Sequence, residues 1–255
     1  MKFYLIILSI STLLFSCNSR VNNEKENNPI VNPDCVKTGK ENKSKIKPVN
    51  SAPILNEDEG ENQEETFSDS LKIAKSGNYK IEIIQKTIDT STSVKFDLFQ
   101  KNAKNWNKVQ TFYLKKDCSV PMLTEIKDFN NDGYNDLTLH YSTAARGAND
   151  IRKLFIFLKD KNKFIEIKNS DEYPNLFYNK KLNCISALSV YGGSTTHFLK
   201  IQKDNLIEFA KVDYIDGEVQ SYLIKNGEEI LLESKKYDSE NDFMITFSNY
   251  DPIEE

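Results

Sequence analysis

Apolar and polar residues alternate along most of the chain after residue 70. YKIEIIQKTI at 79–88 and SVKFDLFQ at 93–100 alternate in this way, which is typical of a strand with one buried face. Because a short polar segment separates these stretches, we expect them to pair as a hairpin. Further short apolar runs follow them: KVQTFYL, LTLHY, RKLFIFL, KFIEI, CISALSVY, THFLKIQ, NLIEFAKVDY, VQSYLIK, EEILLESKKY and FMITF. The sequence has almost no helical periodicity and therefore predicts an all-β domain.

The connections between these runs predict how the strands are joined. Several segments place an apolar strand, a lysine-led polar turn and a second apolar strand in succession, and Asn226–Gly227 is the strongest hairpin signal among them. This order favours an antiparallel meander, although a weak internal repeat would look the same. Propeller-like sheets, a sandwich or a barrel would each limit the exposed strand edges of such a meander.

The N-terminus indicates export and attachment to a membrane. Lys2 precedes an apolar stretch, residues 3–15, that is too short to span a bilayer as a helix and has the form of a secretory signal. This segment closes with Leu14, Phe15, Ser16 and Cys17, which resemble the lipobox of bacterial lipoproteins. This resemblance implies cleavage after residue 16, lipidation of Cys17 and a place in the bacterial cell envelope, on the periplasmic face or the cell surface.

Composition divides the remainder of the chain into two parts. Residues 17–69 are rich in Asn, Lys, Glu and Pro, so they cannot bury enough apolar surface to fold, and we expect a disordered, lipid-bound linker. Residues 70–255 are long enough for a single β domain with its own core. The net charge of −4, with both signs interspersed, argues against a nucleic-acid partner.

One segment of this domain collects an unusual number of oxygen-bearing side chains. Residues 128–136 read DFNNDGYND and place Asp128, Asn130 and Asp132 at alternate positions, followed by Asp136. Ca²⁺ takes six to eight oxygen ligands, and Gly133 allows the sharp turn that would wrap such a loop around an ion. The backbone carbonyl of Tyr134 would supply a further ligand. The alternative is an acidic turn without a metal, since Asn and Asp also favour turns.

The motif resembles a known class of calcium loops. DxNxDGxxD followed by a strand is similar to the loops of FG-GAP and integrin-type repeats, and Leu139 at the twelfth loop position differs from an EF-hand. The order of segments after residue 121 also resembles FG-GAP-like bacterial lipoproteins, some of which are similar to periplasmic lysozyme inhibitors. That resemblance implies a protruding partner-binding loop, here Tyr191, Gly192, Gly193, Ser194, Thr195, Thr196 and His197.

The cysteines and a second loop carry weaker signals. In an oxidising compartment we expect a disulfide between Cys118 and Cys184, with two buried free thiols as the alternative, and Cys35 is then unpaired or intermolecular. The loop TAARGAND contains Arg146, which would either fix the loop by pairing with nearby carboxylates or contribute to recognition.

These features favour a protein that is not an enzyme. The chain has two histidines, His140 and His197, and lacks a nucleophile motif, a zinc spacing and a phosphate-binding glycine loop. Ser194 with His197 is a poor candidate for a catalytic pair. We expect a calcium-stabilised binding module, such as an inhibitor or immunity factor against a wall hydrolase like lysozyme. The alternative is an envelope protein in which calcium only stabilises the fold.

Overall fold

The computed structural model describes residues 62–89, 91–116, 120–237 and 244–255. The predicted signal peptide, Cys17, Cys35 and Cys118 lie outside the described residues. The described chain forms antiparallel strands with only short 3-10 turns, Ala145–Gly147 and Ser170–Glu172, between them. The all-β prediction is therefore confirmed.

The first sheet is a four-stranded antiparallel meander in the order β1-β2-β3-β4. Its strands are β1 (Gln63–Asp69), β2 (Tyr79–Ile88), β3 (Ser91–Asn102) and β4 (Asn105–Lys116). β2 and β3 pair as the predicted hairpin. β1 lies within the predicted linker, residues 17–69, so the β domain begins earlier in the chain than residue 70. The strand is polar because it lies at the sheet edge with most side chains exposed, and Phe67 packs against the core.

The second sheet is another four-stranded meander, in the order β5-β6-β7-β8. Its strands are β5 (Thr124–Lys127), β6 (Asp136–Ala144), β7 (Asn149–Leu158) and β8 (Lys163–Ile167). β7 is apolar on both faces: Phe155 and Phe157 belong to one core cluster, and Leu154 and Ile156 belong to another. A sheet that is covered on both sides requires such a continuous apolar run.

The third sheet has six strands in the order β14-β13-β12-β11-β10-β9. Its strands are β9 (Phe177–Asn179), β10 (Cys184–Val190), β11 (Ser194–Gln202), β12 (Asn205–Ile215), β13 (Glu218–Lys225) and β14 (Glu228–Lys236). Asn226 and Gly227 have φ angles of 56° and 82°, so the β13–β14 connection has the backbone that the Asn-Gly signal predicts. A small ribbon of β15 (Asn249–Tyr250) and β16 (Ile253–Glu254) follows.

The three large sheets are stacked, and a core lies on each side of the second sheet. The first core contains β2 and β3 residues such as Ile81 and Phe96 together with Phe157 of the second sheet. The second core joins Leu154 of the second sheet to Ile185 and Leu199 of the third sheet. The sheets remain open, so the barrel alternative is wrong, and face-to-face stacking of meanders is the arrangement expected of propeller-like blades.

The C-terminal segment covers the outer face of the third sheet without joining it. The sequence predicts a strand at FMITF, residues 243–247, but the described part of this run, residues 244–247, is irregular. Ile245 and Phe247 are buried in a third core with Phe198 and Val212. The apolar run therefore acts as a cap on the sheet, and a short apolar run does not distinguish this role from that of a strand.

We expect Phe157→Ala to destabilise the domain by about 3–5 kcal/mol, because it leaves a cavity in the first core. The Phe157 side chain is fully buried, and its ring lies 4.8 Å from that of Tyr79 and 5.4 Å from that of Phe164. Urea unfolding measures the change. The matched control is Tyr113→Ala, since Tyr113 is 74% exposed and its loss should change stability by less than about 0.5 kcal/mol. Equal effects of the two substitutions would contradict this description of the core.

Candidate functional site

Residues 128–136, here called the acidic loop, connect β5 to β6 and are anchored by two aromatic side chains. Phe129 is fully buried in the second core, while Tyr134 packs against the first core with its ring stacked 5.6 Å from that of Phe157. The aromatic side chains therefore hold the loop between the two cores. The polar side chains between these two aromatic residues are exposed or half-buried, whereas Asp136, two residues after Tyr134, is buried.

Asp136 is the buried carboxylate of the acidic loop. It is 0% exposed at the first position of β6. Its Oδ2 accepts a hydrogen bond from the Phe129 amide and its Oδ1 accepts one from the Phe157 amide, each at 2.8 Å. Its pKa is raised from the usual 3.8 to about 8, chiefly because burial disfavours the charged form. The two amide hydrogen bonds lower the pKa, and the nearby Asp132 and Asp128 carboxylates raise it, and both effects are included in this value.

The remaining side chains curl the loop around its own oxygens. Asp128 accepts hydrogen bonds from the amides of Gly133, at 2.8 Å, and Asp132, at 3.2 Å. The Tyr134 amide donates to Asp132 Oδ1 at 2.9 Å, and the Asn130 carboxamide donates to Asp132 Oδ2 at 3.3 Å. Gly133 has a φ angle of +85°, which glycine adopts without strain. The glycine predicted to permit the sharp turn is therefore at the turn.

The donor set fits a hard cation in its chemistry. Within the described residues, no group of three or more His, Cys, Asp or Glu side chains is arranged to hold a metal. The acidic loop combines carboxylates with the Asn130 amide and the Tyr134 carbonyl, and amide and carbonyl oxygens are ordinary Ca²⁺ ligands. An all-oxygen set suits Ca²⁺, whereas Zn²⁺ prefers nitrogen and sulfur ligands. The residues present therefore fit Ca²⁺, and the prediction remains a prediction.

The acidic loop also touches elements from all three sheets. Asn135 exchanges backbone hydrogen bonds with Ala74, at 2.8 and 3.1 Å, and donates from its side chain to the Lys72 carbonyl at 2.7 Å. Lys72 and Ala74 belong to the β1–β2 connection of the first sheet. On the other side, Asn131 donates to Asn183, just before β10 of the third sheet, at 3.4 Å. The acidic loop is therefore linked to the first sheet by three hydrogen bonds and to the third sheet by one exposed hydrogen bond.

The predicted partner-binding loop, residues 191–197, is mostly strand. Ser194 is 1% exposed, Thr195 is 5% and Thr196 is 0%. The prediction that this segment protrudes is therefore wrong for these three side chains. A side chain at Gly193 would meet the Tyr214 carbonyl oxygen at 2.3 Å, so this position in the hairpin requires glycine. Only the hairpin tip, Tyr191 and Gly192, is exposed, and the Tyr191 hydroxyl is 2.7 Å from Thr195 Oγ1.

The structure brings this hairpin tip next to the loop that carries Arg146. The Asn149 carboxamide donates to the Val190 carbonyl at 3.0 Å and accepts from the Val190 amide at 2.9 Å. Arg146 is exposed and makes no ion pair with another described residue, so it does not fix the loop by pairing with a carboxylate. We use the term recognition rim for three exposed residues on these two linked loops, Arg146, Tyr191 and Gly192. Sequence reasoning named both loops but could not place them together, because the link is a side chain reaching a strand 41 residues away.

His197 is part of a hydrogen-bonded chain, but its serine partner is Ser189. The Ser189 Oγ lies 2.8 Å from His197 Nε2, and Glu208 Oε1 lies 2.6 Å from His197 Nδ1. Ser194 instead donates to the Ile245 carbonyl. A serine, an imidazole and a carboxylate in this order are the arrangement of an activated nucleophile, which also needs free backbone donors for a developing oxyanion.

The backbone donors beside Ser189 are already used. The Leu188 amide donates to the Pro174 carbonyl at 3.1 Å, and the Val190 amide donates to Asn149 at 2.9 Å. The Ser189–His197–Glu208 chain runs across three adjacent strands, so it links β10, β11 and β12. We therefore interpret it as part of the sheet's structure.

Cys184 is a free thiol in the structure. It is 6% exposed in the third core, beside Phe198, and burial raises the pKa of its thiol. The expected disulfide with Cys118 is thus not formed at Cys184, and the alternative of a buried thiol describes this residue. Its side chain packs as a small apolar group, which is common for cysteine.

Comparison with known proteins does not identify a family. No protein-family model matches the chain, and no curated protein matches it in sequence. A solved structure described as that of a Xanthomonas type IV secretion system related protein is similar with a TM-score of 0.42 and 10% identity, covering 67% of this chain and 99% of that chain. A likeness at this level carries no argument. No family match supports the FG-GAP and lysozyme-inhibitor resemblance, which remains a prediction.

Within the described residues, no helix is long and apolar enough to cross a membrane.

We expect the metal-free protein to lose stability as the pH rises from about 4 to about 8, because Asp136 binds its proton more tightly in the folded chain. This contribution is complete below the unfolded pKa near 3.8 and is lost as the pH approaches the folded value of about 8. The slope is at most about 1.4 kcal/mol per pH unit. Urea unfolding in metal-free buffer at several pH values measures it.

Asp136→Asn should remove this part of the pH dependence. Asp160→Asn, in the exposed turn after β7, is the matched control and should keep the wild-type profile. A wild-type profile that is flat over this range would show that the Asp136 carboxyl does not titrate as described.

Proposed function

We propose that this chain is a lipid-anchored protein of the bacterial cell envelope whose β domain binds Ca²⁺ and acts as a non-catalytic binding module. The observation that carries this proposal is the acidic loop, which curls around its own carboxylates at the junction of three sheets. Asp128, Asn130, Asp132, Asp136 and the Tyr134 carbonyl would hold the ion. The N-terminal signal and Cys17 support the anchor and lie outside the described residues.

In this proposal the role of Ca²⁺ is structural. The ion would offset the negative charge that Asp128 and Asp132 place near the buried Asp136, and it would take the place of the proton that burial favours on Asp136. It would bind the folded loop and not the unfolded chain, so it would stabilise the domain by mass action. Because Asn135 and Asn131 connect the loop to the first and third sheets, the stabilisation would reach the packing of all three sheets.

The recognition rim is the surface that we assign to a protein partner. Tyr191 is 53% exposed, and Tyr and Arg are the residue types that contribute most often to binding energy at interfaces. The rim lies at the end of β6, nine residues or about 30 Å from the acidic loop at its start. The partner class is a wall hydrolase such as lysozyme, which rests on the family resemblance, and the chain would act as its inhibitor or immunity factor.

A second candidate is an envelope protein in which Ca²⁺ stabilises the fold and no hydrolase is bound. Its support is the burial of Ser194, Thr195 and Thr196, which leaves only a short hairpin tip for insertion into a cleft. Both candidates are non-catalytic. The occupied donors beside Ser189 support that part of the proposal.

We expect Ca²⁺ to raise the melting temperature of a chain from residue 18 onward, relative to the same chain in chelator. At a concentration one hundred times the dissociation constant, the gain is about 2.7 kcal/mol, or about 5–11 °C for a domain of this size. Asp132→Ala should abolish the gain, because it removes a carboxylate ligand. Asp160→Ala is the control and should retain it. Identical curves with and without Ca²⁺ would reject the calcium site.

We expect the calcium-loaded protein to inhibit a lysozyme-type wall hydrolase, and Tyr191→Ala and Arg146→Ala each to weaken inhibition by at least about tenfold. Enzyme assays with purified hydrolases measure the inhibition constants. Tyr113→Ala, which removes a tyrosine that is 74% exposed on another surface, is the control and should inhibit normally. A folded protein that inhibits no such hydrolase would leave the second candidate as the function.

A further inference from the structure

β14 forms a free edge of the third sheet and exposes apolar side chains. It lies at the end of the strand order and pairs only with β13 among the described strands. Ile230 is 45% exposed, Leu231 is 54% and Leu232 is 41%. An edge strand with unpaired backbone groups and exposed aliphatic residues is a template for pairing with another strand. The nature of its partner follows from the charges.

The charges of β14 are self-complementary. The strand reads EEILLESKK, with Glu228 and Glu229 at one end and Lys235 and Lys236 at the other. If two copies pair antiparallel about Leu232, Glu228 lies opposite Lys236 of the second copy, and Glu229 lies opposite Lys235 of the second copy. Two-fold symmetry repeats both pairs, so every terminal charge of the strand meets an opposite charge. Opposite charges directly across an antiparallel pair are stabilising.

The local geometry places the symmetry axis at Leu232. The register between β13 and β14 shifts there, because Ser221 pairs with Glu233 and Tyr222 pairs with Leu231, which leaves Leu232 without an opposite residue. Both copies would carry this bulge at the axis. The residues on either side of Leu232 in one copy would therefore keep the same pairing with the residues of the second copy. Two charged residues of β14 already form ion pairs within the chain: Glu229 lies 2.9 Å from Lys211, and Lys235 lies 3.6 Å from Glu233. The side chains of Glu229 and Lys235 are nevertheless 51% and 41% exposed.

We propose that the chain forms a symmetric dimer in which the β14 strands of two copies pair antiparallel about Leu232, joining two six-stranded sheets into one. An isologous contact of this kind closes on itself and leaves no further free edge at β14. The interface is small, so we expect micromolar affinity. The proposal depends neither on Ca²⁺ nor on the recognition rim, and its failure would leave the proposed function unaffected.

The test reverses charges of β14 in the 255-residue chain. One variant carries Glu228→Lys and Glu229→Lys, and a second carries Lys235→Glu and Lys236→Glu. Each variant alone places like charges opposite one another, so we expect its dimer dissociation constant to rise at least about tenfold relative to wild type. The two variants mixed restore four opposite-charge pairs and should form a heterodimer. Sedimentation equilibrium of detergent-solubilised protein measures the constants, and differently tagged chains report heterodimers by co-purification.

A crosslinking variant keeps the proposal testable if a charge variant fails to fold. Leu232→Cys should form an intermolecular disulfide on mild oxidation, because the two residues face each other at the axis. Ile207→Cys is the matched control, since Ile207 is 46% exposed on β12 and would not face its copy. A wild-type chain that stays monomeric at high micromolar concentration would overturn the proposal. A dimer that tolerates both charge reversals, or one that crosslinks equally at both positions, would overturn it as well.

Discussion

The two hydrogen bonds accepted by the buried Asp136 carboxylate hold the molecule together at the point where its sheets meet. One oxygen binds the Phe129 amide and so closes the acidic loop, while the other binds the Phe157 amide and so attaches that loop to β7. Phe129 and Phe157 belong to cores on opposite sides of the second sheet. A change in the charge state of this one carboxylate therefore acts on both cores at once.

If the acidic loop binds a cation as proposed, the effect of the ion would extend beyond its own ligands. An acidic loop on an isolated hairpin would only order a few residues, but Asn135 and Asn131 connect this loop to the first and third sheets. The recognition rim is built separately, by the Asn149 carboxamide that joins the Arg146 loop to the β10–β11 hairpin. The proposed cation site and the proposed partner surface thus lie towards opposite ends of β6. Calcium would support the rim through the rigidity of the sheets and not through direct contact.

Polar residues of the third sheet have three different structural roles, which the sequence alone does not distinguish: they link strands, they bind the C-terminal cap, or they lie exposed at the sheet edge. His197 with Ser189 and Glu208 resembles a catalytic relay in its bonding, yet the flanking amides are engaged and the chain ties strands together. The buried Ser194 and Thr196 bind the C-terminal cap. At the far edge, β14 exposes charged and aliphatic side chains, and the proposed dimer rests on their self-complementary order.

The sequence by itself determined the local features. Alternating apolar residues identified β2, β3 and most later strands, and Asn226–Gly227 identified the β13–β14 hairpin. The spacing of oxygens identified the acidic loop. Each of these features depends only on neighbouring residues. The tertiary structure decided what depends on distant ones. β1 is a strand because β2 offers it an edge, and Met244–Phe247 is a cap because the third sheet leaves an apolar face to cover. The loops of Arg146 and Tyr191 form one rim because Asn149 reaches Val190, a contact between residues far apart in the chain that no local pattern encodes.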